Sequence, residues 1–204
     1  MSPEFEAAFR REVRFRIIEK RTKELEAFLR EHLLDQPKSV PYVPLAGCEL
    51  KRCFVNVERQ VQRMGGTMET GWLFCECEHI NIHTEAHAIW ITPQGRRTDI
   101  TPHRFPPKRI LFTVDPRVSQ KRGFTVGHKT ILSRDPVVCA IERFDVELDR
   151  LYEEFFVDFG CYSTIPNNRL REAATHANLP WDVAEYMIRQ KQKYYQDSSA
   201  RFLA

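Results

Sequence analysis

No run of apolar residues in this 204-residue chain approaches the roughly 18 that would span a bilayer, so no membrane-spanning helix is expected. The N-terminus is charged almost from the start and lacks the apolar stretch of a secretory leader. Cysteine is sparse. Six thiols, at 48, 53, 75, 77, 139 and 161, are too few for a disulfide scaffold and read as the reduced thiols of a cytoplasmic protein. There is no internal repeat and no low-complexity tract. An excess of one charge is missing too: 31 Lys/Arg against 28 Asp/Glu leaves +3, too little by itself to indicate nucleic acid. What is present is ordinary, 42% hydrophobic and 29% charged residues, with length enough for one core and a helical appendage.

Ser2-Pro3 signals a helix start, with Ser as cap and Pro at the first helical position. Phe5, Phe9, Val13 and Ile17 follow at intervals of four, and Leu25, Phe28, Leu29 and Leu33 continue an apolar stripe. Residues 3–34 therefore read as one long helix or two joined helices. Three prolines (Pro37, Pro41 and Pro44) make 36–47 an extended linker. A helix over about 50–64 is closed by Gly65-Gly66; its apolar face is Phe54, Val57, Val61 and Met64, with Cys53, Asn56 and Gln60 on the flank. Residues 71–77 and 84–91 are rich in aromatic and β-branched side chains and read as strands, as do 109–114 and 136–141. Helices over 145–156, 168–177 and 180–195 follow. The expected class is α+β: a helix packed on a small, mainly antiparallel sheet, flanked by N- and C-terminal helices. The expected segments are 1–36, 37–144 and 145–204.

Thr92-Pro93-Gln94-Gly95 is the most informative turn. Pro suits the first central position of a type I turn, and Gly suits the left-handed residue that follows. A three-residue loop pairs Thr92 with Arg96, hence Ile89 with Asp99 and His87 with Thr101. Alternation then puts His87, Ile89 and Asp99 on one face, with His87 and Asp99 as diagonal neighbours in hydrogen-bond reach. Cys53 lies in the first turn of its helix, where the helix dipole favours a thiolate. A thiol, an imidazole and a group that orients the ring are the parts of a thiol site, and Cys53, His87 and Asp99 supply them in that order. The approach of Cys53 to His87 requires the helix to pack against that sheet face. The Cys53 backbone N–H and the Asn56 side chain are candidate oxyanion donors. Glu85 is an alternative orienter or a strand ion-pair partner, Trp72 and Trp90 read as core aromatics, and Cys48 is the rival nucleophile.

The stretch Glu85-Ala86-His87-Ala88-Ile89-Trp90, then Gly95, then Thr98-Asp99-Ile100-Thr101-Pro102, resembles the His and Asp strands of the transglutaminase-like superfamily. Cys53 upstream on a helix, with Gly65-Gly66 and Gly71-Trp72 after it, agrees in order. The resemblance covers residues 48–102. One residue separates Ala88 from Trp90, where the family often has the aromatic directly after the alanine, and no Trp stands beside Cys53. The resemblance implies a papain/transglutaminase-like core without a cofactor. It further implies Cys53 as nucleophile, His87 as general base and acid, and Asp99 as orienter, with Asn56, Glu85 and Trp90 in support. The reaction implied is hydrolysis, deamidation or acyl transfer on an amide or related acyl group of a peptide, protein or small molecule.

Two further readings stay open. Cys75, Cys77 and His79 fall on one strand face with His83 beyond, a sulfur and imidazole set suited to zinc, although a flat strand spaces such ligands about 7 Å apart. From Arg96 to Asp135 ten Lys/Arg stand against three Asp/Glu, a local balance of +7, with Phe105, Phe112 and Phe124 interleaved. This stretch can attract an anionic substrate, an acidic protein or nucleic acid, and the basic end of the last helix (Arg189, Lys191 and Lys193) fits the same idea. No named nucleic-acid motif is present. The non-enzymatic alternative is a protein- or nucleic-acid-binding module with a degenerate site.

Overall fold

The computed structural model describes residues 1–10, 13–118, 126–158, 161–162 and 165–202. In chain order the first elements are α1 (Pro3–Arg10), β1 (Phe15–Ile17), α2 (Lys23–Glu31), β2 (Lys38–Pro41) and α3 (Cys53–Met64). Then come β3 (Thr67–Cys77), β4 (Asn81–Ile91), β5 (Arg97–Thr98), β6 (Arg109–Val114) and β7 (Lys129–Ile131). The remainder is α4 (Pro136–Glu154), a ribbon of β8 (Phe156–Asp158) and β9 (Cys161–Tyr162), α5 (Asn167–His176) and α6 (Trp181–Phe202). The class is α+β, as the sequence predicts, with an antiparallel seven-stranded sheet among the described residues. No helix among them is long and apolar enough to cross a membrane. The chain forms two compact units, one of 13–121 with 127–130 and one of 1–12 with 122–126 and 131–204. The sequence reading places its seams elsewhere, at 36/37 and 144/145.

In the sheet unit, β3 and β4 form the spine, paired from Thr67↔Ile91 to Cys77↔Asn81. The strand order is β2-β6-β3-β4-β5, with β1 added on β3 and β7 on β4. One face gathers Ile17, Val40, Leu73, Cys75, Ile89, Ile110 and Phe112. On the other, Phe74, Ile82 and Leu111 pack with Leu25, Phe28 and Leu29 of α2. Each such side chain, fully buried, contributes about 1.5–3 kcal/mol, which is what holds the nine-residue α2 in place. The 92–95 turn forms in the predicted register: Thr92 N–H donates to the Arg96 carbonyl at 2.9 Å, Gly95 sits at φ +78°, and Trp90 pairs with Thr98. The ladder stops there. After Thr98 the chain leaves β4, and Asp99 makes a parallel bridge with Tyr42, just beyond β2. Asp99 N–H donates to the Pro41 carbonyl at 2.9 Å, and Val43 N–H donates to the Asp99 carbonyl at 2.8 Å. The sheet is open, and its two outermost strands are linked through the segments that follow them.

Four expectations differ from the structure. The helix read over 3–34 is broken by β1, because a spacing of four is also a multiple of two and Val13, Phe15 and Ile17 alternate as a strand does. Thr22 then starts α2 afresh, its hydroxyl accepting from Leu25 N–H at 3.1 Å. The linker read over 36–47 contains β2, an outer strand on which Pro41 is tolerated. The strand read over 136–141 is the start of α4. Asp135 accepts from Val137 and Val138 N–H at 3.0 and 3.4 Å with Pro136 just inside the helix, and this cap outweighs the β-branched pair. Finally, the buried stripe of α3 is Cys53, Asn56 and Val57, while Met64 is 56% exposed. Cys53 and Asn56 thus face inward rather than flanking the apolar face.

In the helical unit, Phe5 of α1, Phe144 and Leu148 of α4, Leu170 of α5 and Val183 of α6 share one core.

Candidate active site

The site starts with the turn before α3. Asn56 donates through Nδ2 to the Glu49 carbonyl at 2.7 Å and to Thr101 Oγ1 at 3.3 Å, and its Oδ1 accepts from Glu49 N–H at 2.9 Å. Both amide hydrogens are spent, so Asn56 fixes the turn and ties it to the segment carrying Asp99; it does not present a free donor to a substrate. The turn delivers Cys53 as the first residue of α3, with no side-chain cap on the helix. The first N–H groups of a helix lack partners within it, so the backbone beside the Cys53 sulfur is rich in donors.

Packing then holds α3 against β4. Cys53 and Val57 cluster with Ala88 and Ile100, and Trp90 packs against them. Trp90 Nε1 also donates to the Gly65 carbonyl at 3.0 Å, so this aromatic, partly buried rather than in the core, pins the far end of α3 to the same strand. The Cys53 sulfur lies 4.0 Å from the Ala86 carbonyl.

His87 stands at the middle of the constellation. Its Nε2 is 3.1 Å from Asp99 Oδ1, and Cys53 lies near enough to bear on the charge of its ring. Asp99 is fully buried and also accepts from Thr101 N–H at 3.1 Å and bonds His103 Nε2 at 2.6 Å. Burial works against charge on His87, but the Asp99 carboxylate and then Cys53 outweigh it and raise the imidazole well above its ordinary value. Burial likewise works against charge on Asp99, yet the His87 charge and the His103 hydrogen bond hold its carboxyl far below the usual range. The structure therefore pairs His87 with Asp99 directly and places Cys53 close enough to act on the imidazole charge.

The remaining candidates are placed differently. The Glu85 side chain is 53% exposed and 3.9 Å from His83 Nε2, so it belongs to His83 more than to His87. Cys48 is half-buried, and burial pushes its thiol up. Trp72 Nε1 donates to Asp115 Oδ2 at 3.0 Å. Of the zinc set, Cys75 and His83 are cross-strand partners, and Cys77 faces Asn81. His79 leaves the strand in a turn at φ +62° with its side chain 92% exposed, so the four do not converge. Along the basic stretch Arg97 pairs with Glu69 at 2.6 Å and Arg117 with Asp115 at 2.8 Å. Phe112 is buried, Phe105 is 47% exposed, and Phe124 lies outside the described residues. In α6, Lys191 is held 2.6 Å from both Asp145 and Asp149, and Arg189 pairs with Glu185.

Sequence reasoning missed His103. A histidine four residues after Asp99, just past Pro102, was the available signal, but its ring reaches the carboxylate only because the chain turns away from β4 after Thr98. Among the described residues, two groups offer three metal-ligating side chains close together: His87–Asp99–His103 and Cys75–His83–Glu85. In the first, each imidazole directs Nε2 to an Asp99 oxygen.

No family model, curated protein or solved structure matches the chain.

Proposed function

We propose that the chain is a thiol-dependent enzyme of transglutaminase-like or papain-like organisation, acting on an amide or related acyl group. The observation that carries this reading is the position of His87, bonded to Asp99 at 3.1 Å with its charge also supported by the nearby Cys53. In the first half-reaction the proton shared by Cys53 and His87 stands on the imidazole, the Cys53 sulfur forms a bond to the acyl carbon as thiolate, and the negative charge passes to the carbonyl oxygen near the first N–H groups of α3. The C–N bond then breaks as His87 returns the proton to the leaving nitrogen. In the second half-reaction water or an amine attacks the thioester, His87 takes its proton, and the C–S bond breaks. Water gives hydrolysis or deamidation; an amine gives transfer. Throughout, Asp99 holds the ring and its charge.

A second reading is a binding module in which the same trio serves as a structural hub. The exposures of only 8% for Cys53 and 4% for His87 favour it. One experiment separates the two: labelling the native chain with iodoacetamide near neutral pH, read by peptide mass. Under the enzyme reading Cys53 reacts ahead of Cys48, Cys75, Cys77, Cys139 and Cys161, and loses that lead in His87→Ala while the fold is retained. Uniform slow labelling of all six would favour the structural hub.

A further inference from the structure

We infer that Cys75, His83 and Glu85 form a binding site for a divalent cation of the zinc type, separate from the Cys53–His87–Asp99 constellation. Their three ligand atoms lie within 4.8 Å of one another. Ligands at about 2.0–2.3 Å from a tetrahedral ion stand about 3.5 Å apart, so closing the site takes a shift of about an ångström. The half-exposed Glu85 side chain has the freedom to supply that shift.

The sheet register builds this arrangement. Cys75 on β3 is the direct partner of His83 on β4, and Glu85, opposite Leu73, lies one alternation further along the same face. His83 is oriented from behind: its Nδ1 is 2.8 Å from the Asn81 side-chain oxygen, and Asn81 is itself 3% exposed. An oxygen can only accept there, so Nδ1 carries the proton and Nε2 is the bare nitrogen, facing Glu85 at 3.9 Å. The walls are apolar. Ile17 pairs with Cys75, Leu73 is buried beside it, and the Phe15 ring lies 5.9 Å from that of His83. A partly buried, oriented imidazole, a buried sulfur and a half-exposed carboxylate are a donor set that suits zinc over calcium or magnesium.

Binding exchanges one proton for the ion. The Cys75 S–H bond breaks, the sulfur–metal bond forms, and the proton goes to solvent, while His83 Nε2 and the Glu85 carboxylate each donate a lone pair to the ion. Two negative ligands neutralise the 2+ ion, and three protein ligands leave a fourth position open. Cys77 and His79 take no part, since one faces Asn81 and the other points to solvent.

The test uses cobalt(II) alone as probe, added to the full chain purified without metal, because a thiolate ligand announces itself by sulfur-to-cobalt charge-transfer absorption. One equivalent should produce that band. Cys75→Ser should abolish it, Glu85→Gln should weaken cobalt affinity by about tenfold or more, and Cys77→Ser and Cys53→Ser should leave it intact. Absence of the band overturns the inference, as does its survival in Cys75→Ser or its loss in Cys53→Ser or Cys77→Ser. Should Cys75→Ser fail to fold, the exposed Glu85→Gln decides: unchanged cobalt affinity in that variant is equally fatal.

Discussion

A buried imidazole bonded to a carboxylate keeps its proton longer than a free one. At His87 the effect has two opposed parts, burial that disfavours the cation and the Asp99 charge that favours it. Asp99→Asn deletes the second part and keeps the first. The His87 titration midpoint, followed by NMR of its ring protons, should sit above 6.5 in the native chain and drop below it in the variant. A midpoint that stays put would show the two groups to be uncoupled. His103 offers a second residue-level test. Its removal in His103→Ala strips Asp99 Oδ2 of a 2.6 Å partner at a site with no exposure. The cost should be about 1–3 kcal/mol in chemical denaturation. Of the residues at the site, His87 was legible from strand alternation, and its bond to Asp99 was expected, but the expected Ile89–Asp99 and His87–Thr101 pairs do not form: the ladder ends at Thr98 and Asp99 is held by the Tyr42 segment instead. Asn56 was legible as a polar neighbour of Cys53 but not in its role, since its partners Glu49 and Thr101 are set by tertiary packing. His103 was hidden behind the departure of the chain from β4.

Elements position these residues, and α3 does so through both of its ends. Its C-terminal end passes into Gly66 at φ +86°, where an added Cβ would lie 2.1 Å from the Ile91 carbonyl oxygen and 2.9 Å from Trp90 Nε1. Gly66→Ala therefore meets both left-handed backbone strain and backbone contact. A loss of at least about 2 kcal/mol is expected on denaturant unfolding, together with weaker selectivity of Cys53 labelling as α3 loosens from β4. A variant as stable as the native chain would contradict this account of how the helix is seated. At this scale the sequence was readable where punctuation was strong. The 92–95 turn, the Gly65-Gly66 stop and the 109–114 strand all stand where they were expected. It was misread where one pattern fits two periods, as at Val13 to Ile17, or where two signals compete, as at Asp135-Pro136 before a β-branched pair.

For the whole molecule, the ion pair makes stability depend on pH from both sides. Asp99 is depressed, so its contribution is present above the unfolded carboxyl value of about 3.9 and is lost as pH falls through its much lower folded value. His87 is raised, so its contribution is full below about 6.5 and is lost as pH climbs through its elevated folded value. Both are intact together between those limits. Denaturation midpoints across pH should show a plateau there with a decline on each flank, and Asp99→Asn should flatten the alkaline flank. Parallel curves for the two proteins would count against the pair. The α+β class was legible from composition and alternation, whereas the division into units was not, because it depends on which segments distant in sequence meet. Tyr42 and Asp99 are such a pair, bridged beyond the last strands of an open sheet. A bond between segments so far apart closes a long loop, at a cost in chain entropy. Asp99 therefore reaches His87 only where the chain has also brought the Tyr42 segment across, so the pairing depends on a contact between segments distant in sequence.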